Sequence, residues 1–478
     1  MSAIVKKNIF ILAGLIFVAL PICYQAYANK LFSFDEGYYF IASYELGEHG
    51  RFFIDFDSAS LLRNTKPYLF VFIQAGLGKL IGWNEWAMRI PTILSSITLV
   101  FLLFLFIKKQ FNNTLWALAS ALTLLVVPCF VNMHMAFTGD HDIPLTLFTT
   151  LFLFAFYLFL VEADEKKSAR YIFIACLCAA LSVLTKGWMV LFFLPVSLLY
   201  SLVYKKFRLL LCNSGFIYGI TAALVLIASW YMGREYVDPG YLNAVWQYEI
   251  GRYNDGIHSV HPEFGYYWYT LYNYQLSFWL LFIFPACYFI WNADKKEKAF
   301  ILYCFLQAIV FLVILSFSKV KLGWYDAPVI PVIVIVSGYG IAKVIQFIGN
   351  HIFPNKKAVV FFLCAALYIY PYTEIFQRKY ERFFMDTYGE FMMHKHTQDS
   401  YTIVRTSYNP HLIFYTEYCR KKFNTEHILK TSRVPLSVHE KALVCEPVVM
   451  LEINRKYEYE VLDSLGKSKL IEITSLRK

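Results

Sequence analysis

Ser33-Phe34-Asp35-Glu36-Gly37-Tyr38-Tyr39 follows directly on a long apolar run, residues 8–28. Two adjacent carboxylates at such a boundary have two readings. Charges that open a polar loop can cap the helix that follows. A carboxylate at the bilayer surface can also act as a base on an acceptor while a lipid-linked substrate enters sideways from the membrane. Both readings stand on this stretch alone, and the rest of the chain decides between them.

The surroundings are membrane-like. At 58% hydrophobic and 19% aromatic residues, with mean hydropathy +0.48, the 478-residue chain carries more apolar surface than a soluble domain can hide. The formal charge of +10 does not point to nucleic acid, because the basic residues come in pairs between apolar spans, as the positive-inside rule requires. The basic start at Lys6-Lys7 and the apolar run without a small-residue cleavage site predict a retained signal anchor.

A bilayer crossing needs about 20 apolar residues. Eleven segments qualify: 8–28, 90–107, 114–132, 143–161, 171–185, 187–204, 209–232, 266–291, 299–317, 325–348 and 357–372. The pair 171–185 and 187–204 is nearly fused at Lys186-Gly187. Segment 67–82 is short and flanked by Lys66 and Lys79. If it lies along the interface rather than crossing, Lys6-Lys7, Lys108-Lys109, Lys166-Lys167, Lys205-Lys206, Lys295-Lys296 and Lys356-Lys357 all fall on one side of the membrane. The opposite, extracytoplasmic side then holds 29–89, 133–142, 233–265 and the tail.

The expected fold is an all-α polytopic membrane domain over 1–372 and a small extracytoplasmic α/β domain over 373–478. In the tail, 374–396 reads as a charged amphipathic helix and 410–418 as a second helix. The segments 401–406, 442–451, 457–462 and 469–474 read as strands. Cys419 and Cys445 are the two cysteines of this polar tail and could pair as a disulfide. The other eight lie in apolar spans, where packing is the default.

Several polar residues interrupt the outer side. Asp140-His141-Asp142 precedes Ile143-Pro144; Asp142 suits an N-cap, and carboxylates flanking a histidine could also bind a divalent cation. Lys186 interrupts apolar sequence between two spans, where a lysine without an anionic partner is expensive. Lys66 could hold a lipid-linked phosphate or snorkel. Arg234, Arg252, His258 and His261 fall among tyrosines in the outer loop 233–265. Lys319 and Lys321, in Ser318–Tyr325, lie on the side where basic residues are disfavoured, which calls for an anion. No nucleotide-binding glycine loop, serine-nucleophile elbow or transmembrane acidic relay is present.

The order of these features resembles the GT-C polytopic glycosyltransferases, close to the lipid A aminoarabinose transferases and the protein O-mannosyltransferases (dolichyl-phosphate-mannose-protein mannosyltransferases). The matching pieces are Phe34-Asp35-Glu36 after the first span, Lys66-Pro67, Asn84-Glu85-Trp86-Ala87-Met88-Arg89-Ile90-Pro91, Asp142-Ile143-Pro144-Leu145-Thr146, Leu184-Thr185-Lys186-Gly187, and Ser318–Tyr325 with Pro328. The resemblance implies a polyprenyl-phosphate-sugar donor, an extracytoplasmic site and inversion at the sugar carbon. It implies Asp35 as the principal catalytic carboxylate, Asp142 as its acidic partner, and Lys66 on the donor phosphate. Further substrate contacts are expected from Glu36, Tyr39, Asp140, Lys186, Arg252, His261, Lys321 and Tyr325. Two positions depart from the aminoarabinose pattern: Tyr38 stands where an arginine follows Asp-Glu-x, and Thr65 stands where a glutamate precedes Lys-Pro.

The expected partners are the lipid-linked donor, a glycolipid, glycan or protein acceptor, and membrane lipid. No cofactor is required, because the leaving group is already a phosphate; a divalent cation remains an open alternative. A transporter or flippase for lipid-linked sugars is the main rival and predicts ionisable groups deep inside spans. A non-catalytic assembly subunit is the other, and it would tolerate Asp35→Asn.

Overall fold

The structure, a computed structural model, describes residues 3–29, 35–52, 54–55, 61–62, 65–251, 261, 263–354, 357–380, 387–406 and 410–477. Helix α1 (Ala3–Ala28) is followed by α2 (Asp35–Tyr44), α3 (Leu69–Ile81), α4 (Glu85–Phe111), α5 (Thr114–Val126), α6 (Asp142–Val161) and α7 (Glu165–Lys186). After α7 the chain turns at Gly187, whose φ of 118° is open to glycine, into a 3₁₀ turn and the helix Leu194–Val203.

The eleven segments expected to cross fall largely on helical elements, although residues 127–132 of the segment 114–132 are turns and bends. Among the described residues, six helices are long and apolar enough to cross by themselves: Glu85–Phe111, Asp142–Val161, Glu165–Lys186, Ser214–Val237, Lys295–Ser316 and Ala327–Ile352. A seventh is the pair Tyr266–Gln275 and Ser277–Asn292, bent by 109°. The eleven-span expectation therefore depends on shorter or bent helices crossing too. Helix α3, with 13 residues, reaches about 20 Å at 1.5 Å per residue, well short of a hydrocarbon core of about 30 Å.

Close packing of the rods rests on small residues. A Cβ on Gly340 would sit 1.9 Å from the carbonyl oxygen of Phe282, and one on Gly338 would sit 2.3 Å from Ser120 Oγ. Glycine at both positions lets helix Ile330–Phe347 meet two neighbours backbone to backbone. At one end of the bundle, Lys296 donates to the Gln110 carbonyl (2.7 Å) and Lys206 to that of Glu162 (2.5 Å). The basic connectors thus gather together, and α6 begins and α7 ends at the opposite end.

The tail forms a five-stranded mixed sheet. A short antiparallel pair, β1 (Ile54–Asp55) and β2 (Leu61–Leu62), precedes it in the chain. The sheet strands are β3 (Thr402–Arg405), β4 (Ile428–Thr431), β5 (Lys441–Val444), β6 (Tyr457–Leu465) and β7 (Ser468–Leu476), in the order β4-β3-β5-β7-β6. The β3 pairings with β4 and β5 are parallel and the others antiparallel, with Ile403 opposite Leu429 and Leu443, and Leu443 opposite Leu470.

Four expectations for the tail need correction. The helix expected over 374–396 is broken: Lys357–Gln377 ends where Arg378 and Tyr380 turn away to bond the carbonyls of Pro128 and Val131, and Thr387–His394 is a separate helix. The expected domain boundary at 372 consequently falls inside a helix. The strand expected over 442–451 stops at Val444, because Pro447 opens helix Pro447–Lys456, where its fixed φ and missing N–H are suited to the first turn. Cys419 and Cys445 are free, buried thiols; Cys419 donates to the Met392 carbonyl (3.7 Å) and Cys445 sits 2.9 Å from Thr387 Oγ1.

The tail docks on α2 through helix Pro410–Phe423. Phe414 meets Phe40 edge to face at 5.5 Å, Lys421 pairs with Glu48 at 2.6 Å, and a Cβ on Gly37 would lie 2.9 Å from the His411 backbone nitrogen. The helix that carries Asp35 is therefore held from both sides, by the bundle and by the tail.

Candidate active site

Asp35 and Glu36 open α2 side by side, and successive residues on a helix point about 100° apart. The two carboxylates consequently have opposite fates. Glu36 is fully buried and grips Arg89 in a two-pronged ion pair, Nε to Oε1 at 2.7 Å and NH2 to Oε2 at 2.8 Å, while accepting the Gly139 N–H at 2.7 Å. Arg89 also donates to the carbonyls of Ala26 and Asn29, both at 2.7 Å. This network ties α1, α2, α4 and the loop before α6 together. Glu36, expected to contact substrate, is instead the joint that sets the entry of α2. Asp35 is left outward, with its side chain 40% exposed.

Asp35 does not stand alone. His134, held at a positive φ of 61°, places Nδ1 3.9 Å from Asp35 and 3.4 Å from Asp140, while its ring stacks on Trp324 at 3.8 Å. Burial pushes the imidazole down, but Asp140, and then Asp35, outweigh it and leave His134 above its ordinary pKa. Asp140 is correspondingly held below the usual carboxylate range: burial opposes this, and His134 and Lys186 prevail.

The histidine named in the sequence cluster is a different residue with a different role. His141 stacks on Tyr39 at 3.8 Å and lies 3.2 Å from Gln74 Oε1. Burial, followed by the charge of Lys186, lowers it to about 3, so it is a neutral packing group. Among the described residues, the set that could hold a divalent cation is Asp35, His134 and Asp140, with ligand atoms within 4.8 Å of one another. It combines carboxylate and imidazole donors, which suit such an ion. The expected trio of Asp140, His141 and Asp142 does not form.

Asp142 is not an N-cap either. Helix α6 starts at Asp142, with His141 in the cap position making no side-chain cap bond. The Asp142 carboxylate instead receives Lys186 Nζ at 2.5 Å, supplying the anionic partner that a lysine at this depth needs. Asp35 and Asp140 also lie within electrostatic reach of Lys186. Tyr39, buried beneath this group, has its hydroxyl pKa raised by burial and then by Asp35, Asp142, Asp140 and Glu249.

Lys66 has a partner that sequence reasoning missed. Its Nζ pairs with Glu249, whose other carboxylate oxygen accepts Thr65 Oγ1 at 2.6 Å. Where the family pattern puts a glutamate next to Lys-Pro, this chain puts a threonine that binds a glutamate brought from 184 residues away. The one sequence signal was the missing glutamate itself.

Lys66, Lys186 and Glu249 line a cavity of about 400 Å³ together with Ser318 and Tyr325. The rest of its wall is apolar, including Trp188, Met189, Leu191, Phe192 and Leu315. Tyr325, expected to contact substrate, lines this cavity. Lys321 does not line it: it is buried and donates to the Ser318 carbonyl of its own loop. His261 is exposed and stacks on Tyr266 at 4.6 Å. Arg234 is buried in the last turn of helix Ser214–Val237, bonded to the Phe52 carbonyl at 2.9 Å and set over Tyr241. Arg252 and His258 lie outside the described residues.

The comparisons bear on the fold. Residues 65–232 match the family described as dolichyl-phosphate-mannose-protein mannosyltransferase. No curated protein matches the sequence. The structure is similar to that of ArnT from Cupriavidus metallidurans bound to undecaprenyl phosphate, with a TM-score of 0.70 at 16% identity over 99% of this chain and 98% of that one. It is also similar to the archaeal oligosaccharyltransferase AglB from Archaeoglobus fulgidus in complex with an inhibitory peptide and a dolichol-phosphate. There the TM-score is 0.51 at 12% identity, over 89% of this chain and 65% of that one. The chain has the GT-C polytopic fold that the sequence resemblance implied, with a small C-terminal sheet domain appended.

Proposed function

We propose that the protein is an integral-membrane glycosyltransferase that moves a sugar from a polyprenyl-phosphate donor to an acceptor hydroxyl. The observation that carries this reading is the cavity in which two lysines, one of them paired with Glu249, face a largely apolar wall. The lysines suit a phosphate, and Trp188, Leu191 and Phe192 suit the isoprenoid that follows it. Asp35, exposed beside His134, is the base. It takes the proton of the acceptor hydroxyl as that oxygen bonds to the anomeric carbon from the face opposite the phosphate. The bond between the anomeric carbon and the phosphate oxygen breaks, and Lys66 and Lys186 stabilise the charge growing on the departing polyprenyl phosphate. Asp142 positions Lys186, and Glu36 positions α2. The product is inverted at the sugar carbon.

The transfer step balances without a metal. If a divalent cation is resident, Asp35, His134 and Asp140 hold it, and it adds positive charge beside the acceptor. Turnover that survives dialysis against EDTA supports the metal-free step; loss restored by a divalent cation overturns it. The gathering of basic connectors at the opposite end of the bundle supports an extracytoplasmic site in the plasma (inner) membrane. In a cysteine-free background, Lys467→Cys in the tail is expected to react with an impermeant thiol reagent in intact or outer-membrane-permeabilised cells, and Lys166→Cys is not. The reverse pattern overturns the orientation.

The deciding experiment is incubation of purified protein with a panel of polyprenyl-phosphate sugars and candidate acceptors, reading transferred sugar by mass. Movement of intact donor across vesicles without any transfer would favour the flippase reading instead.

A further inference from the structure

A second cavity, of about 680 Å³, opens on the other side of the 318–326 loop. Alternate residues of that loop face different spaces: Tyr325 lines the lysine cavity, and Trp324 and Asp326 line this one. Asp35 and His134 also line it, so it begins at the proposed base. Its size lies within the range of about 300–1,000 Å³ common for small-molecule sites.

Its chemistry is the opposite of the first cavity's. Neither lysine nor arginine lines it to hold a phosphate. Three polar atoms of its lining residues are buried and have no hydrogen-bond partner among the described residues: Gln275 Oε1, Trp324 Nε1 and Asp326 Oδ2. Asp326 is 1% exposed and Gln275 6% exposed. The neighbouring atoms are firmly placed. Gln275 Nε2 donates to Asp326 Oδ1 at 3.1 Å and to the Gly323 carbonyl at 2.5 Å, and the Gln275 carbonyl accepts the Cys129 N–H at 3.2 Å. Gln275 and Asp326 cannot swing away to find partners without breaking these bonds, and the Trp324 ring is stacked on His134. Buried polar groups are almost always satisfied, and leaving one open costs about 1–3 kcal/mol. Three open groups at one cavity, an acceptor, a donor and a carboxyl oxygen, call for a ligand that both donates and accepts at close spacing. A ring of hydroxyl groups does this. A peptide offers one side-chain hydroxyl and otherwise fixed amide geometry.

We propose that this cavity is the acceptor pocket and that it takes an uncharged sugar, held by Gln275, Trp324 and Asp326, with one of its hydroxyls presented to Asp35. The proposal rests on the transferase reading and names the acceptor class for it.

The test uses full-length protein in lipid nanodiscs. Binding of a panel of neutral oligosaccharides, a sugar phosphate, a serine- and threonine-containing peptide and polyprenyl phosphate is measured for the wild type and for Trp324→Phe, Gln275→Leu and Asp326→Asn. Phenylalanine keeps an aromatic ring against His134 and removes the N–H, with a smaller ring. At least one neutral glycan is expected to bind the wild type. Trp324→Phe and Gln275→Leu should each weaken it about tenfold, and polyprenyl phosphate should bind all four proteins alike, which also certifies their folding. Four results overturn the proposal: no glycan binds the wild type, glycan affinity is unchanged in all three variants, the sugar phosphate outcompetes the neutral glycan, or the peptide occupies the pocket in its place. Failure of the underlying transferase reading shows separately, as absence of sugar transfer from every polyprenyl-phosphate donor while glycan binding persists.

Discussion

Asp35→Asn and Glu36→Gln, two amide replacements one residue apart, should fail in opposite ways. Asp35 is 40% exposed, makes no hydrogen bond among the described residues, and approaches His134 no closer than 3.9 Å. Its replacement therefore removes one loose, half-solvated charge pair, worth at most about 1 kcal/mol. Asparagine keeps the shape and removes the basicity. Loss of a general base costs about 10²–10⁴ in rate, or about 2.7–5.4 kcal/mol of barrier. Glu36 is the converse: it is fully buried against Arg89, and neutralising it strands a guanidinium, for about 3–5 kcal/mol of stability. The assay is single-turnover sugar transfer on detergent-purified protein, alongside thermal unfolding of the same samples. Asp35→Asn should unfold near the wild-type temperature with turnover nearly abolished. Glu36→Gln should unfold much earlier, and the fraction still folded should turn over. Transfer by folded Asp35→Asn within a few-fold of wild type would refute the assignment of the base and restore the capping role.

Lys66→Ala should raise the donor KM by about 10–100-fold and lower kcat as well, because it removes a charge present both before and during the reaction; a change in kcat alone would move Lys66 off the ground-state phosphate. In the tail, Glu440 accepts Lys430 (2.8 Å), Thr402 (2.5 Å) and the Ser437 N–H (2.8 Å). Burial raises its pKa, and these partners more than offset that, so the folded pKa lies below the ordinary 4.5. Its stabilisation is full above about pH 4.5 and fades as pH falls through the depressed value. Glu440→Gln should cost about 1–2 kcal/mol at pH 7, and the gap in Tm from wild type should close on acidification; a gap that does not change with pH would show that charge is not its source.

The membrane plan was legible because hydrophobic length and basic pairs are local signals. Asp35 and Lys66-Pro67 were singled out by the same kind of signal, each by its position beside an apolar run. What was not legible is which of two adjacent carboxylates faces outward, since that depends on Arg89 arriving from another helix. His134 gave no signal in a ten-residue loop, because a left-handed backbone and a stacking tryptophan 190 residues later put it beside Asp35. Gln275 and Asp326 were read as parts of spans, for the same reason that spans are recognised by averages. The disulfide expectation failed because two cysteines in one small domain can share a core without sharing a bond: each thiol had a nearer polar partner.

Both lysines of the cavity proposed to take the donor phosphate already hold an anion of the protein's own, Lys66 with Glu249 and Lys186 with Asp142. A phosphate that enters must share or displace those carboxylates, so the donor is bound less tightly than two bare cations would hold it. The same exchange runs in reverse after transfer. As the spent carrier departs, Glu249 and Asp142 return to the vacated ammonium groups, which spares the site two uncompensated charges in a low-dielectric wall. A carrier anchored in the bilayer by its isoprenoid tail stays at high local concentration and would otherwise rebind at once. On the proposed function, the resident carboxylates act as competitors that help clear the site.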